Sequence, residues 1–424
     1  MSDDKAAARP KLGTGFNRLW AASAVSNLGD GIMWTAFPLL VVTMTSDPLV
    51  VAAVSFAQTL PWFLFALVSG ALVDRLDRKL VMVRVDLVRA AIVLVLGVLV
   101  VTESVTIPWI MVLAFLLGTA ETLFDTASEA IIPALVPDGT IPDANSRLQG
   151  TQWVMNSFIG PPLGAVLFSV AIAVPFFIDA ASFAIAAGLV ALIVGRYKTE
   201  RARPEATIRG EIAEGLRWLY HKRILFTLSI MAGITNFFGF AIFAVLVLFL
   251  TEELGLSALM YGIIGAAVGV GGLVGALFAP RVIRWVGPGT TVLGSVALGA
   301  VLSLVMGFVT TALQVGVVAT LWGLSITAWN VVSVSLRQEL TPDELRGRVA
   351  SVARLLAWGT QPLGALAGGA IATALGLRAP FFVAAAAWGL MLVVAVPIVN
   401  NRTIAAAQAT AGGGIAADGA QSEA

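Results

Sequence analysis

The sequence predicts an all-α integral membrane protein of about twelve transmembrane helices, arranged as two six-helix pseudo-symmetric halves. Three observations carry this. Of 424 residues, 58% are hydrophobic and 12% charged, too little charge to cover a water-facing surface. Lysine and arginine fall on alternate sides of successive apolar runs. The motifs of the first half return in the second.

A span needs about 20 apolar residues. Runs of that length lie at about 16–44, 49–73, 80–101, 107–128, 148–170 and 174–194, and at about 224–250, 258–280, 289–309, 312–334, 347–374 and 378–398. Residues 1–15 are polar and basic and show no cleavable signal, so the first run is expected to stay in the membrane after a short tail. The halves are therefore 16–194 and 224–400. Between them, linker 195–223 contains Ile208–Leu225, where Ile212, Leu216, Leu219 and Tyr220 recur near helical spacing among charges. This predicts a short amphipathic helix on the cytoplasmic face. Residues 401–424, rich in Ala and Gly, are expected to be a disordered cytoplasmic tail.

The loop charges give the direction. One side holds Lys5, Arg9, Lys11 and Arg18, then Arg75, Arg78 and Lys79, then Arg147, the basic linker, Arg281 and Arg284, and Arg337, Arg346 and Arg348. The other side holds Arg378 among Asp47, Glu103, Glu252 and Glu253. Basic loops stay in the cytoplasm, so both termini are expected there, in the plasma membrane.

Composition also excludes. There are no cysteines, and the single histidine, His221, sits beside Lys222 and Arg223. No Gly-rich phosphate loop with its lysine occurs, and no nucleophile–base pair is visible. An enzyme is not expected, nor a cofactor, a metal or a nucleic-acid partner. The expected partners are a hydrophobic small molecule, protons and the bilayer, with the chain acting as a monomer.

The repeat is explicit. Gly160-Pro161-Pro162-Leu163-Gly164-Ala165 is answered by Thr360-Gln361-Pro362-Leu363-Gly364-Ala365, and Pro175-Phe176-Phe177 by Pro380-Phe381-Phe382. Such parallel repeats build transporters with the site where the halves meet. Gly160, Pro161, Pro362 and Gly364 are expected to bend the fifth and eleventh spans, since Pro frees a carbonyl and Gly permits close approach.

Gly70-Ala71-Leu72-Val73-Asp74-Arg75-Leu76-Asp77-Arg78-Lys79 resembles the signature loop of the major facilitator superfamily, with Asp77 where that family usually has Gly. Its counterpart keeps Gly275, Arg281 and Arg284 without the acid. Asn27-Leu28-Gly29-Asp30, Asp86 with Arg89, Ala144-Asn145-Ser146, Asp179-Ala180-Ala181-Ser182-Phe183 and Arg346-Gly347-Arg348-Val349 resemble the drug–proton antiporter branch that includes macrolide pumps and the enterobactin exporter. The resemblance implies proton-coupled efflux of hydrophobic or amphipathic molecules (drugs, macrolide-like compounds or siderophores) by alternating access. The alternative is a nutrient uptake symporter or uniporter of the same fold. It also implies a cytoplasmic gate at Gly70, Asp74, Arg75, Arg78 and Lys79, with Asp74 meeting the positive end of the eleventh helix.

Carboxylates inside a span are costly and mark function by default. Asp30 ranks first for proton coupling, then Glu121 and Asp125. Glu121, Asp125 and Glu129 share a helix face at four-residue spacing, and Glu129 is expected to pair with a signature-loop arginine. Asp179 is expected to serve either proton chemistry or a neighbouring helix. Arg89 and Arg354, read near the cytoplasmic ends of spans, are expected to be neutralised by Asp86 or another acid. The second half places Asn236, Gly239 and Asn330 about where the first has Asn27, Asp30 and Asp125, so proton chemistry is expected in the N-terminal half. The fourth span lacks the intramembrane arginine common in antiporters. A bulky apolar ligand would be met by Trp34, Phe37, Trp62, Phe65, Trp153 and Asn156 from the first half, and by Phe237, Phe240, Trp322, Trp329 and Trp358 from the second.

Overall fold

The computed structural model describes residues 12–73, 75–137, 139–198, 208–342 and 345–410, and almost all of them are helical. The reason is the solvent: in hydrocarbon every backbone N–H and C=O must be satisfied within the segment, so apolar runs close as helices.

The first half comprises α1 (Gly13–Val42), α2 (Pro48–Val73), α3 (Arg78–Val101), α4 (Ile107–Leu135), α5 (Ile141–Gln152), α6 (Gly160–Val170) and α7 (Val174–Ala191). A π-helical stretch, Trp153–Ile159, joins α5 to α6. The linker helix is α8 (Ile208–His221). The second half comprises α9 (Arg223–Leu248, running into π-helical Phe249–Glu253), α10 (Ala258–Val286), α11 (Pro288–Met306), α12 (Ala312–Leu340), α13 (Arg346–Trp358), α14 (Gln361–Leu375) and α15 (Ala379–Ala395).

Nine helical segments among the described residues are long and apolar enough to cross a membrane. The predicted third, eleventh and twelfth spans correspond to other helices. These are α3, which carries Arg84, Asp86 and Arg89, the pair α13–α14 broken at Gly359-Thr360, and α15 with 17 residues.

Two expectations change. The chain after residue 400 is not disordered at once: residues 401–410 form a helix, α16. Asn401 anchors it. Its Oδ1 accepts the backbone N–H of Gly289 and Thr290 at 2.8 and 3.2 Å, and its Nδ2 donates to Val286 O and Thr290 Oγ1 at 2.7 and 2.9 Å. Gly287 makes this turn with φ +86°, where a Cβ would also stand 2.5 Å from the Asn401 amide. Residues 411–424 lie outside the described residues.

The division of the chain also differs from 16–194 and 224–400. One compact unit is Met1–Ala36 with Leu64–Ala202, the other Phe37–Phe63 with Arg203–Ala424. The far end of α1 and the start of α2 thus pack with the later helices. Ala52, Ala244 and Ala365 bury one another, Gly369 has no room for a Cβ against Ala52, and Ser46 donates to Glu252.

The repeat is visible in the packing of each unit. In the first, α3 packs on α4 and α7; in the second, its counterpart α11 packs on α12 and α15. Gly164 lies against α1, where a Cβ would stand 2.5 Å from Ile32 O, and Gly364 lies against α9, where a Cβ would overlap Phe237 O. The repeated glycine thus lets the first and fifth spans of each half touch backbone to backbone.

The predicted linker helix forms and docks on α13. Arg348 Nη1 donates to Glu214 Oε2 at 2.7 Å, and Gly215 lies under the Arg348 carbonyl. Leu219 is covered, whereas Leu216 and Tyr220 are exposed.

Candidate functional site

The densest group of charges inside predicted spans lies in the first unit, between α1, α3, α4 and α7. Arg89 is three turns into α3, about 16 Å along its axis, deeper than the helix end expected for it. Its side chain is buried. Nη2 donates to Asp30 Oδ1 of α1 at 2.6 Å. Its guanidinium carbon lies 4.0 Å from the ring centroid of Phe183 on α7 and 5.7 Å from that of Phe124 on α4. Two ring faces replace part of the hydration the cation has lost.

Asp86, one turn earlier on α3, is fully buried. Its Oδ1 is 3.8 Å from Arg89 Nη1, close enough for attraction and too far for a hydrogen bond. The expected neutralisation of Arg89 therefore goes chiefly through Asp30. Sequence reading did not find that pairing. The third helix supplies a buried guanidinium in a protein whose fourth span has none.

The glycines beside Asp30 have separate duties. A Cβ on Gly29 would overlap Asp179 Oδ1 and Ser182 Oγ of α7. A Cβ on Gly31 would stand 2.7 and 2.8 Å from the carbonyls of Met155 and Asn156. Both positions are helix crossings. Asp179 is buried, and Ser182 Oγ donates to its carbonyl and carboxylate at 2.8 and 3.1 Å. Asn27 turns back on its own helix, donating to Ser23 O at 2.7 Å.

On α4, Glu121 and Asp125 are half-buried and Glu129 is exposed, while Thr122 and Phe124 face inward. Glu129 makes no ion pair with a described residue. Instead Arg78 Nη1 donates to the carbonyl of the next residue, Ala130, at 2.8 Å, because Glu129 points outward. Of the signature loop, Arg75 is exposed, Gly70 has open space where a Cβ would go, and Lys79 is half-buried. Asp74 and its proposed dipole contact lie outside the described residues. Arg354 is exposed and rests over the Trp358 ring at 5.9 Å rather than on an acid.

The aromatic candidates divide. Trp62 and Trp358 meet edge to face at 5.5 Å, and Phe65 meets Phe115 at 6.1 Å. Trp34 and Trp153 are exposed; Asn156, Phe237, Phe240 and Trp329 are half-buried. Phe37 is buried in helix packing, and half-buried Trp322 meets Trp388 edge to face at 6.0 Å.

The residues expected to bend the helices stand beside irregular turns. Gly160 and Pro161 follow the π-helical stretch, and Pro362 and Gly364 follow the break at Gly359-Thr360. At that break the second half uses neutral groups. Gln361 Nε2 donates to Asn236 Oδ1 at 3.0 Å, and Thr360 Oγ1 donates to Gly233 O at 2.9 Å. Helices α9 to α15 carry one carboxylate, Glu339 at the end of α12.

Residues 7–412 match the family of transmembrane secretion effectors. Multidrug efflux pump Tap of Mycolicibacterium fortuitum is 28% identical over 393 residues, covering 90% of this chain and 95% of its own. Macrolide efflux protein A of Streptococcus pyogenes is 23% identical over 393 residues, covering 91% and 96%. The solved structure of a point mutant of nucleoside transporter NupG superposes with a TM-score of 0.74 at 11% identity, covering 91% of this chain and 100% of that one. A bacterial homologue of the iron transporter ferroportin, in the inward-facing state, gives 0.71 at 16% identity, covering 91% and 98%. The fold is shared at these low identities. The family and its relatives are transporters rather than enzymes, and this is a multi-pass membrane protein that transports small molecules. The chain belongs to the transmembrane secretion effector family of the major facilitator superfamily.

Proposed function

We propose that this chain exports hydrophobic or amphipathic small molecules across the plasma membrane in exchange for protons, by alternating access. Asp30 carries the proton. The observation that supports this most is the bond from Arg89 to Asp30 at 2.6 Å inside the helices of the first unit. A buried pair is weak evidence for stability, and breaking it with one partner left behind is expensive. A proton on Asp30 does that, so protonation must change how α1 is held. Glu121 and Asp125 are the next carboxylates on the proton route.

Export of drug-like compounds or macrolide-like molecules is supported by the names of the relatives, a multidrug efflux pump and a macrolide efflux protein. The edge-to-face pair Trp62–Trp358 suits a ligand with flat apolar surface. In the same unit, half-buried Phe237 and Phe240 are further candidates; Trp34 and Trp153 are exposed candidates in the other unit. Gly70, Asp74, Arg75, Arg78 and Lys79 act as the cytoplasmic gate, and the loop charges support cytoplasmic termini. The functional unit is the monomer.

The test is a substrate screen in a host lacking its own pumps. Expression should lower accumulation of at least one amphipathic dye or drug, and a proton uncoupler should restore it. Inward concentration of a polar solute, with no effect on any drug, would favour uptake instead.

A further inference from the structure

We infer that Arg89 is an exchangeable counter-ion, bonded to Asp30 while that carboxylate is ionised and to Asp86 while Asp30 holds a proton. This rests on the reading of Asp30 as proton carrier and says how the proton acts on the helices.

The network around Arg89 is half complete. Nη2 bonds Asp30, whereas Arg89 Nε and both carboxylate oxygens of Asp86 are buried with no hydrogen-bond partner among the described residues. Leaving such groups unmade in a low dielectric is costly, and a fixed structural pair would satisfy them. Asp86 Oδ1 already stands 3.8 Å from Nη1, and the two residues share a helix at i, i+3. Rotation of one side chain therefore closes the second bond without moving the backbone. The rings of Phe183 and Phe124 flank the guanidinium in passing.

The step balances. A proton from water joins the Asp30 carboxylate, the Arg89–Asp30 bond breaks, and the Arg89–Asp86 bond forms. Loss of the proton reverses it. The consequence is mechanical: a tie between α1 and α3 becomes a tie within α3, and α1 is released. The other carboxylates acting on Arg89 are Glu121 of α4 and Asp179 of α7, and Asp125 of α4 also feels its charge. Asp179 is already held by Ser182, and Glu121 is the rival acceptor.

The test uses the full-length protein in lipid nanodiscs and needs no substrate. Infrared difference spectra across a pH titration should show a carboxylic-acid band that Asp30→Asn removes. In Asp86→Asn the band should stay but titrate about one unit toward acid, tenfold in proton concentration, because Arg89 has lost its second partner. If no band depends on Asp30, the proton-carrier reading fails. If the band is present, an experimental structure of the unaltered protein below its midpoint decides the exchange. Arg89 should lie within hydrogen-bond distance of Asp86 and away from Asp30. Arg89 still on Asp30, or moved to Glu121 or Asp179, would overturn it.

Discussion

The Asp77 side chain holds the Tyr197 backbone, and the residue after Asp77 holds it a second time. Asp77 Oδ2 accepts the Tyr197 N–H at 3.2 Å, and the Arg78 N–H donates to the Tyr197 carbonyl at 3.2 Å. The other carboxylate oxygen caps α3 by accepting the Leu80 N–H, also at 3.2 Å. This is the position where the superfamily usually has glycine. Here the acid ties the entrance of α3 to the chain leaving α7.

Asp77→Ala should therefore lower stability by about 1–2 kcal/mol, a lost cap plus a lost tie. Asp77→Asn keeps an acceptor and should recover most of it. Thermal melts in one detergent check this, and equal melting of Asp77→Ala and the parent protein would contradict it.

Arg378, the basic residue on the acidic side, is a clasp. Its Nε donates to Glu253 Oε1 at 2.9 Å, its Nη1 donates to Gly307 O and Val309 O at 2.9 and 3.1 Å, and it lies 5.4 Å from the Phe249 ring centroid. The ion pair is partly exposed and worth little. The two carbonyls matter more, because Arg378→Ala leaves them without this donor. It should cost about 1–3 kcal/mol, and Glu253→Gln less than about 1 kcal/mol. A larger loss in Glu253→Gln would show that the charge pair, not the carbonyl contacts, does the holding.

Glycines separate packing from gating. Gly164→Ala and Gly364→Ala push a methyl into the backbone of the first span of each half, and each should cost 2 kcal/mol or more, at about the scale of overpacked cores. Gly70→Ala meets nothing within 4 Å among the described residues. It should fold normally, yield like the parent protein, and lose transport if the signature loop gates. Unimpaired drug efflux in Gly70→Ala would remove that residue from the gate.

Much of this was legible in the sequence. Apolar run length and the repeated Gly-Pro segments are one-dimensional signals, and they became helices and helix crossings. The partner of Arg89 was not legible, because Asp30 lies far away in sequence and Asp86 offers a nearer acid on the same helix. Phe183 beneath the guanidinium carries no polar signal at all. The pairing expected of Glu129 failed by one residue, where a backbone carbonyl accepted instead of a carboxylate. The anchoring of α16 rests on one asparagine, which composition hides among alanines.

The proposed exchange requires Asp30 to couple proton movement to export. In vesicles containing the purified protein, a pH gradient should drive accumulation of a drug identified by the cellular screen. Asp30→Asn should abolish that accumulation while leaving the drug's binding within about threefold of the parent protein, since the substitution removes coupling rather than the ligand site. Gradient-driven accumulation that survives Asp30→Asn would contradict coupling through this carboxylate.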